Sequence, residues 1–343
     1  MYFAGQINKR NQNEILEIKN YLEKKGVEYK NADYTSVVRD KGKIVATGSC
    51  DSSVLKYFFV DEKYLGQGLT ILIYNDILNY LYDNNISEYF VFTKPKNKNI
   101  FSSLGLKEVF QNQDVLLLEG GFSDYNSWIE SIRSKLDKNA KTRGAIVANC
   151  NPMTLGHKYL FEYAKDRVDE LIIFILEEDS SIFPTDYRFS IVKKEMQKFE
   201  NIKVFLSGRY MISKATFPTY FLKEKDNSLD IYTNLDSQIF SEKIAKDLNI
   251  DIRFLGTEPI DELTNRYNYM LIKNFNESNK KIEIIERLKD SDRVISASEV
   301  RNLLAEGNID LAKSLLPKST IEFLDSEAGQ NIIAKLQEMR KKN

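Results

Sequence analysis

Hydrophobic residues follow two different rhythms along the chain, and the rhythm changes near residue 141. Between Tyr34 and Glu119, short apolar runs are broken by turns. We predict a β-hairpin in TSVVRDKGKIVATGSC, a buried strand in LKYFFVD, and a helix after a glycine turn in LGQGLTILIYNDILNYLYDNN. A further strand is predicted in ISEYFVFTKP, and a short helix with a last strand in NKNIFSSLGLKEVF. The first region is therefore predicted to be an α+β domain.

After residue 141, strands and helices alternate. We predict strands in TRGAIVANC, DELIIFILEE, NIKVFLSG, IDIRFLGTE and KKIEIIERL, with helices such as HKYLFEYAKDRV and YRFSIVKKEMQKF between them. This alternation favours a parallel sheet wound by right-handed crossovers, in which ligands bind at the carboxyl ends of the strands near the switch in strand order. From Ser298 onwards the apolar spacing predicts a helical tail packed on this domain.

The predicted fold class is α/β, in three segments. Residues 1–120 form the α+β domain, residues 121–141 form a connecting helix after Gly120-Gly121, and residues 142–343 form a Rossmann-like parallel-sheet domain with the helical tail.

Composition narrows the classes of partner. Lysine and arginine number 49 against 50 aspartate and glutamate, a net charge of -1, so we expect neither nucleic acid nor an anionic membrane as a partner. No run approaches the roughly 18 apolar residues of a membrane span, and the first residues lack a basic leader followed by an apolar run, so we expect a cytoplasmic protein. Cys50 and Cys150 are too far apart in sequence to predict a zinc site or a disulfide framework.

The stretch CNPMTLGHKYL contains His157, the only histidine of the chain. Thr154 is placed to cap the following helix, and Gly156 leaves room for close approach to the backbone. An imidazole in the first helical turn can donate a hydrogen bond to a phosphate oxygen, and its charge can rise as negative charge develops in a transition state. The plainer alternative is a histidine that fills a surface position.

This stretch resembles the (H/T)xGH motif of the nucleotidyltransferase superfamily, in the variant TxGH. The superfamily's second motif is similar to ISASEVR, about 140 residues further along, which contains Ser296, Ser298 and Arg301. The resemblance implies that His157 binds the α-phosphate of ATP, Thr154 positions phosphate oxygens, and Ser298 with Arg301 holds the leaving pyrophosphate. Ser296 and Glu299 also fit a helix capping box, which requires no ligand.

A third motif is the turn Gly66-Gln67-Gly68. Glycines there can serve the turn alone, or can expose N–H groups to a phosphate at the helix start. The order of elements around it resembles the GNAT-type N-acetyltransferase fold, which binds the coenzyme A pyrophosphate in this turn, although Lys63 stands where that pattern has Arg or Gln.

The longer strings GAIVANCNPMTLGHKYL, FPTDYRFSIVKKEM, YMISKATFPTYFLKEKD, FLGTEPIDELTNRYNYML and SASEVR resemble the citrate lyase ligase family. The resemblance implies ATP-dependent activation of acetate, with Mg²⁺, and acetyl transfer to the prosthetic-group thiol on the acyl carrier subunit of citrate lyase. The Gly66-Gln67-Gly68 turn is then a candidate site for that coenzyme A-like arm.

Further residues are predicted to contact ATP: Asn149, Asn151, Pro152, Gly156, Arg188, Gly256, Ser296 and Ser298. For Arg188, the alternative to an ATP contact is a surface ion pair. For the segment from Gly256 to Pro259, the alternative is a turn that only ends the strand.

Two other functions remain open from the residues. One is a nucleotidyltransferase that joins AMP or CMP to a phosphorylated cofactor precursor. The other is a regulatory protein whose GNAT-like half senses acyl-coenzyme A.

Overall fold

A computed structural model describes residues 2–30, 32–177, 181–211, 228–257, 262–290 and 293–342. The chain divides into two compact units. One runs to Trp128 and includes a segment ending at Leu235; the other begins at Ile129 and resumes at Asp236. The boundaries 1–120, 121–141 and 142–343 stay a prediction.

The first unit contains a seven-stranded sheet. Its strands and the helices of this part of the chain are β1 (Ala4–Gln6), α1 (Gln12–Glu23), β2 (Tyr34–Asp40), β3 (Lys43–Asp51), β4 (Val54–Val60), α2 (Leu69–Asp83), β5 (Glu88–Thr93), α3 (Lys98–Ser103), β6 (Lys107–Gln111), β7 (Leu116–Gly121) and α4 (Tyr125–Arg133). The strand order is β1-β2-β3-β4-β5-β7-β6, and only the β4–β5 pair is parallel. Lys41 and Gly42 connect β2 to β3 with positive φ values of 49° and 79°, which matches the predicted hairpin turn.

Helix α2 packs on this sheet because its apolar residues recur on one face. Ile73 and Ile77 are fully buried, and a Cβ at Gly48 on β3 would lie 2.5 Å from Ile73 Cγ2. A glycine on the strand therefore lets the helix approach closely. Strand β1, helix α1 and strand β7 were not predicted. Asn11 is the N-cap of α1, and its side chain accepts a hydrogen bond from Asn13 N.

The second unit contains a five-stranded parallel sheet of order β10-β9-β8-β11-β12. The elements of this part of the chain are β8 (Arg143–Ala148), α5 (Leu155–Lys165), β9 (Glu170–Ile175), α6 (Thr185–Met196), β10 (Ile202–Leu206), α7 (Ser228–Gln238), a π-helical segment (Ile239–Ile244), α8 (Ala245–Asp247), β11 (Ile252–Gly256), α9 (Glu262–Glu277), β12 (Lys281–Ile285), β13 (Lys289–Asp290), β14 (Arg293–Val294), α10 (Ala297–Glu306), α11 (Ile309–Ser314), α12 (Lys318–Leu324) and α13 (Glu327–Lys342). All five predicted strands are present. The predicted fold class is confirmed, with an α+β first part, a Rossmann-like parallel sheet and a helical tail.

Strand β8 lies at the centre of this sheet, where the chain turns first towards β9 and later towards β11. Such a reversal leaves a crevice at the carboxyl end of the strand. The loop from Asn149 to Thr154, which joins β8 to α5, therefore starts at the switch point. Its own Cys150 and Met153 are buried in the core between the sheet, α5 and α6.

Candidate active site at the entrance to helix α5

Thr154 and His157 cap the first turn of α5 through hydrogen bonds to each other. Thr154 is the N-cap, and its hydroxyl accepts a hydrogen bond from His157 N at 3.4 Å. In return, Thr154 N donates to His157 Nδ1 at 3.1 Å. A backbone N–H can only donate, so Nδ1 carries no proton and the neutral ring carries its proton on Nε2. The imidazole is thus fixed in the tautomer that offers Nε2–H as a donor.

The charge of His157 is suppressed by its surroundings. Burial, and secondly the positive charge of Arg287, lower the pKa of the imidazole from 6.5 to about 4. The ring is neutral at neutral pH in this state of the protein, so it acts as a hydrogen-bond donor rather than as a cation.

Arg287 was not predicted from the sequence. It lies two residues beyond β12, where its backbone N donates to Thr257 Oγ1 at 3.2 Å. Its side chain runs alongside Gly256, since a Cβ at Gly256 would lie 3.8 Å from Arg287 Cγ and 3.9 Å from Nε. Burial lowers the pKa of this guanidinium, which still remains charged at neutral pH. Only its position after the end of a parallel strand could have suggested it in the sequence.

Gly256 therefore lies beside Arg287, at a distance at which an added methyl group would make an ordinary van der Waals contact. It is the last residue of β11, and the predicted strand-ending turn continues at Thr257, whose N donates to Ile285 O at 2.9 Å. Glu258 and Pro259, which were considered with it, lie outside the described residues.

Gly156 brings the two sequence motifs into contact. A Cβ at Gly156 would lie 2.9 Å from the carbonyl oxygen of Ile295, a contact that real side chains avoid. We expected a ligand to approach the backbone here, but the group that approaches is the ISASEVR segment. Ser296, the next residue, is the N-cap of α10 and accepts from Glu299 N at 3.1 Å, which is one of the two hydrogen bonds of the predicted capping box.

Arg301 links the same two motifs through its guanidinium. Nη1 donates to Asn151 O across 150 residues of sequence, and Nη2 donates to the exposed Ser298 Oγ at 3.1 Å. Burial lowers the pKa of Arg301 without removing its charge at neutral pH. The predicted pair of Ser298 and Arg301 thus stands beside the loop that precedes His157.

Arg188 is a fully buried residue that serves the loop. It is 0% exposed, and its guanidinium donates to Asn149 O at 2.8 Å, Asn149 Oδ1 at 2.7 Å and Phe183 O at 2.8 Å. The alternative of a surface ion pair is wrong, and the prediction of direct ATP contact gives way to a positioning role, because the side chain has no surface to present.

Asn151 and Pro152 also belong to this framework. Asn151 Oδ1 accepts from Phe183 N at 3.0 Å, while Pro152 is buried and follows a cis peptide bond. Asn149 Oδ1 accepts from Arg188 and from Ser181 Oγ. The loop residues predicted to bind ATP are thus held by other protein groups before any ligand arrives.

The turn Gly66-Gln67-Gly68 belongs to the first unit. Gly66 and Gly68 have φ values of 75° and 76°, and no atom lies within 4 Å of where their Cβ atoms would be. These conformations account for the glycines by themselves. The turn is exposed, and Gln67 Nε2 donates to Lys63 O at 3.2 Å.

Within the described ranges, we find no group of three or more His, Cys, Asp or Glu side chains arranged to hold a metal ion. Among the same residues, none of the helices combines the length and apolar character required to cross a membrane.

The second unit has an α/β fold of the nucleotidyltransferase type, and its two sequence motifs meet at the entrance to α5. The family model for the citrate lyase ligase C-terminal domain matches residues 143–324, just over half of the chain. A citrate (pro-3S)-lyase ligase of Klebsiella pneumoniae is 34% identical over 288 residues, which cover 82% of this chain and 84% of the relative. The chain belongs to the citrate lyase ligase family.

Solved structures are similar to parts of the chain. The ribosomal-protein-S18-alanine N-acetyltransferase of Escherichia coli aligns with 37% of this chain and 98% of its own, at 12% identity and a TM-score of 0.31. Thermotoga maritima TmcAL bound with alpha-thio ATP aligns with 56% of this chain and 57% of its own, at 15% identity and a TM-score of 0.36.

Proposed function

We propose that this chain activates citrate lyase by acetylating the thiol of the prosthetic group on its acyl carrier subunit. In the first step, an acetate oxygen attacks the α-phosphorus of ATP, and pyrophosphate leaves. In the second step, the thiolate attacks the acetyl carbonyl of acetyl-adenylate, a thioester forms and AMP leaves. Membership of the citrate lyase ligase family supports this reaction. The contact between Arg301 and Asn151 supports assigning the reaction to the two sequence motifs, because it joins the second motif to the loop before His157.

The residues at α5 suit the first step because it needs alignment and charge stabilisation more than covalent chemistry. We assign His157 Nε2–H to an oxygen of the α-phosphate and Arg287 to the charge that develops beside it. Arg301 with Ser298 is assigned to the departing pyrophosphate. Thr154 acts through its bonds to His157, which fix the ring and its tautomer.

Mg²⁺ fits this donor set as an ion held by the substrate. The described residues of the site offer cations and neutral donors rather than a carboxylate cage, and Mg²⁺ commonly keeps water ligands and binds through substrate phosphates. When bound, it neutralises phosphate charge.

The first unit is proposed to bind the coenzyme A-like arm of the carrier subunit. The parallel strands β4 and β5 are paired only near the start of β4, where Val54 lies opposite Phe90 and Leu55 lies opposite Val91. From there β4 continues to Val60 beside β3, and β5 continues to Thr93 beside β7. The Gly66-Gln67-Gly68 turn follows β4 and starts α2, so exposed N–H groups of this turn are available to a pyrophosphate. We further propose that the enzyme is cytoplasmic.

The test incubates the protein with ATP, Mg²⁺, acetate and deacetylated citrate lyase, and measures AMP release and recovery of lyase activity. Both should appear together. Pyrophosphate exchange into ATP that persists without acetate would indicate a nucleotidyltransferase, and a protein that forms no AMP at all would indicate a regulatory role; either result overturns the proposal.

The role of the turn is tested separately. Replacing both Gly66 and Gly68 with bulky residues should weaken transfer to the carrier and leave acetate-dependent pyrophosphate exchange intact. Equal loss of both activities would contradict an arm-binding role.

A further inference from the structure

Three carbonyl groups of the loop before α5 accept hydrogen bonds from side chains outside the loop. Asn149 O accepts from Arg188, Asn151 O accepts from Arg301, and Met153 O accepts from Thr320 Oγ1 at 3.0 Å. The first two donors belong to sequence motifs already considered. The third comes from α12 in the helical tail, 167 residues away from Met153, and its side chain is 0% exposed.

The tail also binds the other side of the N-cap. Leu155 N, in the first turn of α5, donates to Leu315 O at 2.9 Å. First-turn N–H groups have no partner within their own helix, so this bond satisfies one of them. Thr154 thus lies between two residues, Met153 and Leu155, that the tail holds directly.

The tail itself is fixed to this domain by Glu195 on α6. Its Oε1 pairs with Lys158 Nζ at 2.7 Å, and its Oε2 accepts from Ser319 N at 3.1 Å. Burial acts to raise the pKa of this carboxyl, but the bonds from Lys158 and Ser319 outweigh it, so the pKa is lowered and the carboxylate stays charged. The position of Thr320 is therefore set by α5 and α6 together.

We infer that Thr320 is a positioning residue of the adenylylation site, which it serves by holding Met153 O and thereby the Thr154–His157 pair. This inference rests on the proposed function. Thr154 N supplies the bond that orients the imidazole, so a shift of the peptide before it moves the donor that faces the α-phosphate. Displacements of about 1 Å at such a donor can cost about a hundredfold in rate.

The test compares Thr320→Val with Thr47→Val. Thr47 is 1% exposed and its Oγ1 donates to the carbonyl of Ser36 at 3.0 Å, so the same substitution breaks the same kind of buried bond in the other unit. Both variants should lose a similar few degrees of Tm. Only Thr320→Val should lower kcat of acetate-dependent pyrophosphate exchange, by about ten- to a hundredfold with a smaller change in KM for ATP, and Thr320→Ser should restore it.

The outcomes separate the inference from the proposed function. Equal kcat for Thr320→Val and Thr47→Val overturns the role of Thr320, while a wild-type protein without acetate-dependent exchange overturns the proposed function. In that second case, an imidazole NMR signal of His157 that is the same in Thr320→Val as in the wild-type protein would overturn the positioning role as well. If Thr320→Val does not fold, the same question is answered by Thr320→Ala and Thr320→Ser. Their kcat values for exchange are then compared at a temperature below the Tm of both variants.

Discussion

The entrance to α2 and the entrance to α5 both follow a strand and both contain glycine, but the glycines have different structural roles. At α2, Gly66 and Gly68 adopt positive φ in open space. At α5, Gly156 is confined against Ile295 O, and the cap is closed by Thr154 and His157. Glycine allows a left-handed backbone conformation in the first case and a close contact between two segments in the second. The α5 entrance is consequently organised before a ligand binds, which is the arrangement that electrostatic catalysis requires.

The largest effect should come from His157→Ala. Loss of one preorganised donor should remove about 2–4 kcal/mol of transition-state stabilisation, a fall of about 30- to 1000-fold in acetate-dependent pyrophosphate exchange. The lost half of the cap should cost about 1 kcal/mol in stability. Asn11→Ala, which removes the N-cap of α1, is the matched control and should lose stability without loss of exchange. Near-normal exchange in His157→Ala would remove the histidine from the mechanism.

Arg287→Gln should have the next largest effect. A charge-assisted bond to phosphate is worth about 1.5–3 kcal/mol, so exchange should fall about 10- to 150-fold. The pKa of His157 should rise, because the Arg287 charge that lowers it is gone. Arg340→Gln, which breaks an exposed pair with Glu306, serves as control and should change neither quantity. An unchanged histidine pKa in Arg287→Gln would contradict the electrostatic contact.

The glycines can be compared directly by Gly156→Ala and Gly68→Ala. In Gly156→Ala the new Cβ meets Ile295 O, so we expect about 1–3 kcal/mol of destabilisation together with loss of exchange. Gly68→Ala should cost about 1–2 kcal/mol from its left-handed backbone, with exchange retained. Thermal unfolding and exchange assays check both variants. A Gly156→Ala protein with full exchange activity would contradict the conclusion that close contact at Gly156, unlike the backbone conformation at Gly68, is required for activity.

The smallest effect concerns pH. Because the folded pKa of His157, about 4, is below the unfolded value of 6.5, the neutral ring contributes stability that is complete above pH 6.5 and is lost as pH falls from 6.5 towards 4. For a partly exposed ring we expect about 2 kcal/mol or less. The single imidazole allows direct titration by NMR, and His157→Gln should flatten the pH dependence of unfolding in this window. A measured pKa near 6.5 would contradict the lowering of the histidine pKa by burial and by the charge of Arg287.

Much of the fold could be predicted because periodicity is a local property. The five parallel strands and the β2–β3 hairpin follow from apolar spacing and turn residues. Strand β1 was not predicted because it has only three residues, and helix α1 was not predicted because its twelve residues are mostly polar. For the candidate site, the two sequence motifs pointed to His157 and Arg301, and the structure brings these motifs into contact. Arg287 has no such pattern around it, and its place beside Gly256 depends on the register of β11 and β12.

The sequence by itself determined the two motifs, the alternation of strand and helix, and the capping chemistry of Thr154 and Ser296, because each is set by residues within a few positions. Only the tertiary structure decided that Arg301 reaches Asn151, that Thr320 holds Met153 O, and that Arg188 is buried among backbone carbonyls. These are contacts between residues far apart in the chain or on separate elements, and they form because the parallel sheet and the helical tail bring the carboxyl ends of the strands together. Burial then keeps the only histidine of the chain neutral, and the hydrogen bond from Thr154 N to Nδ1 leaves Nε2–H as its donor.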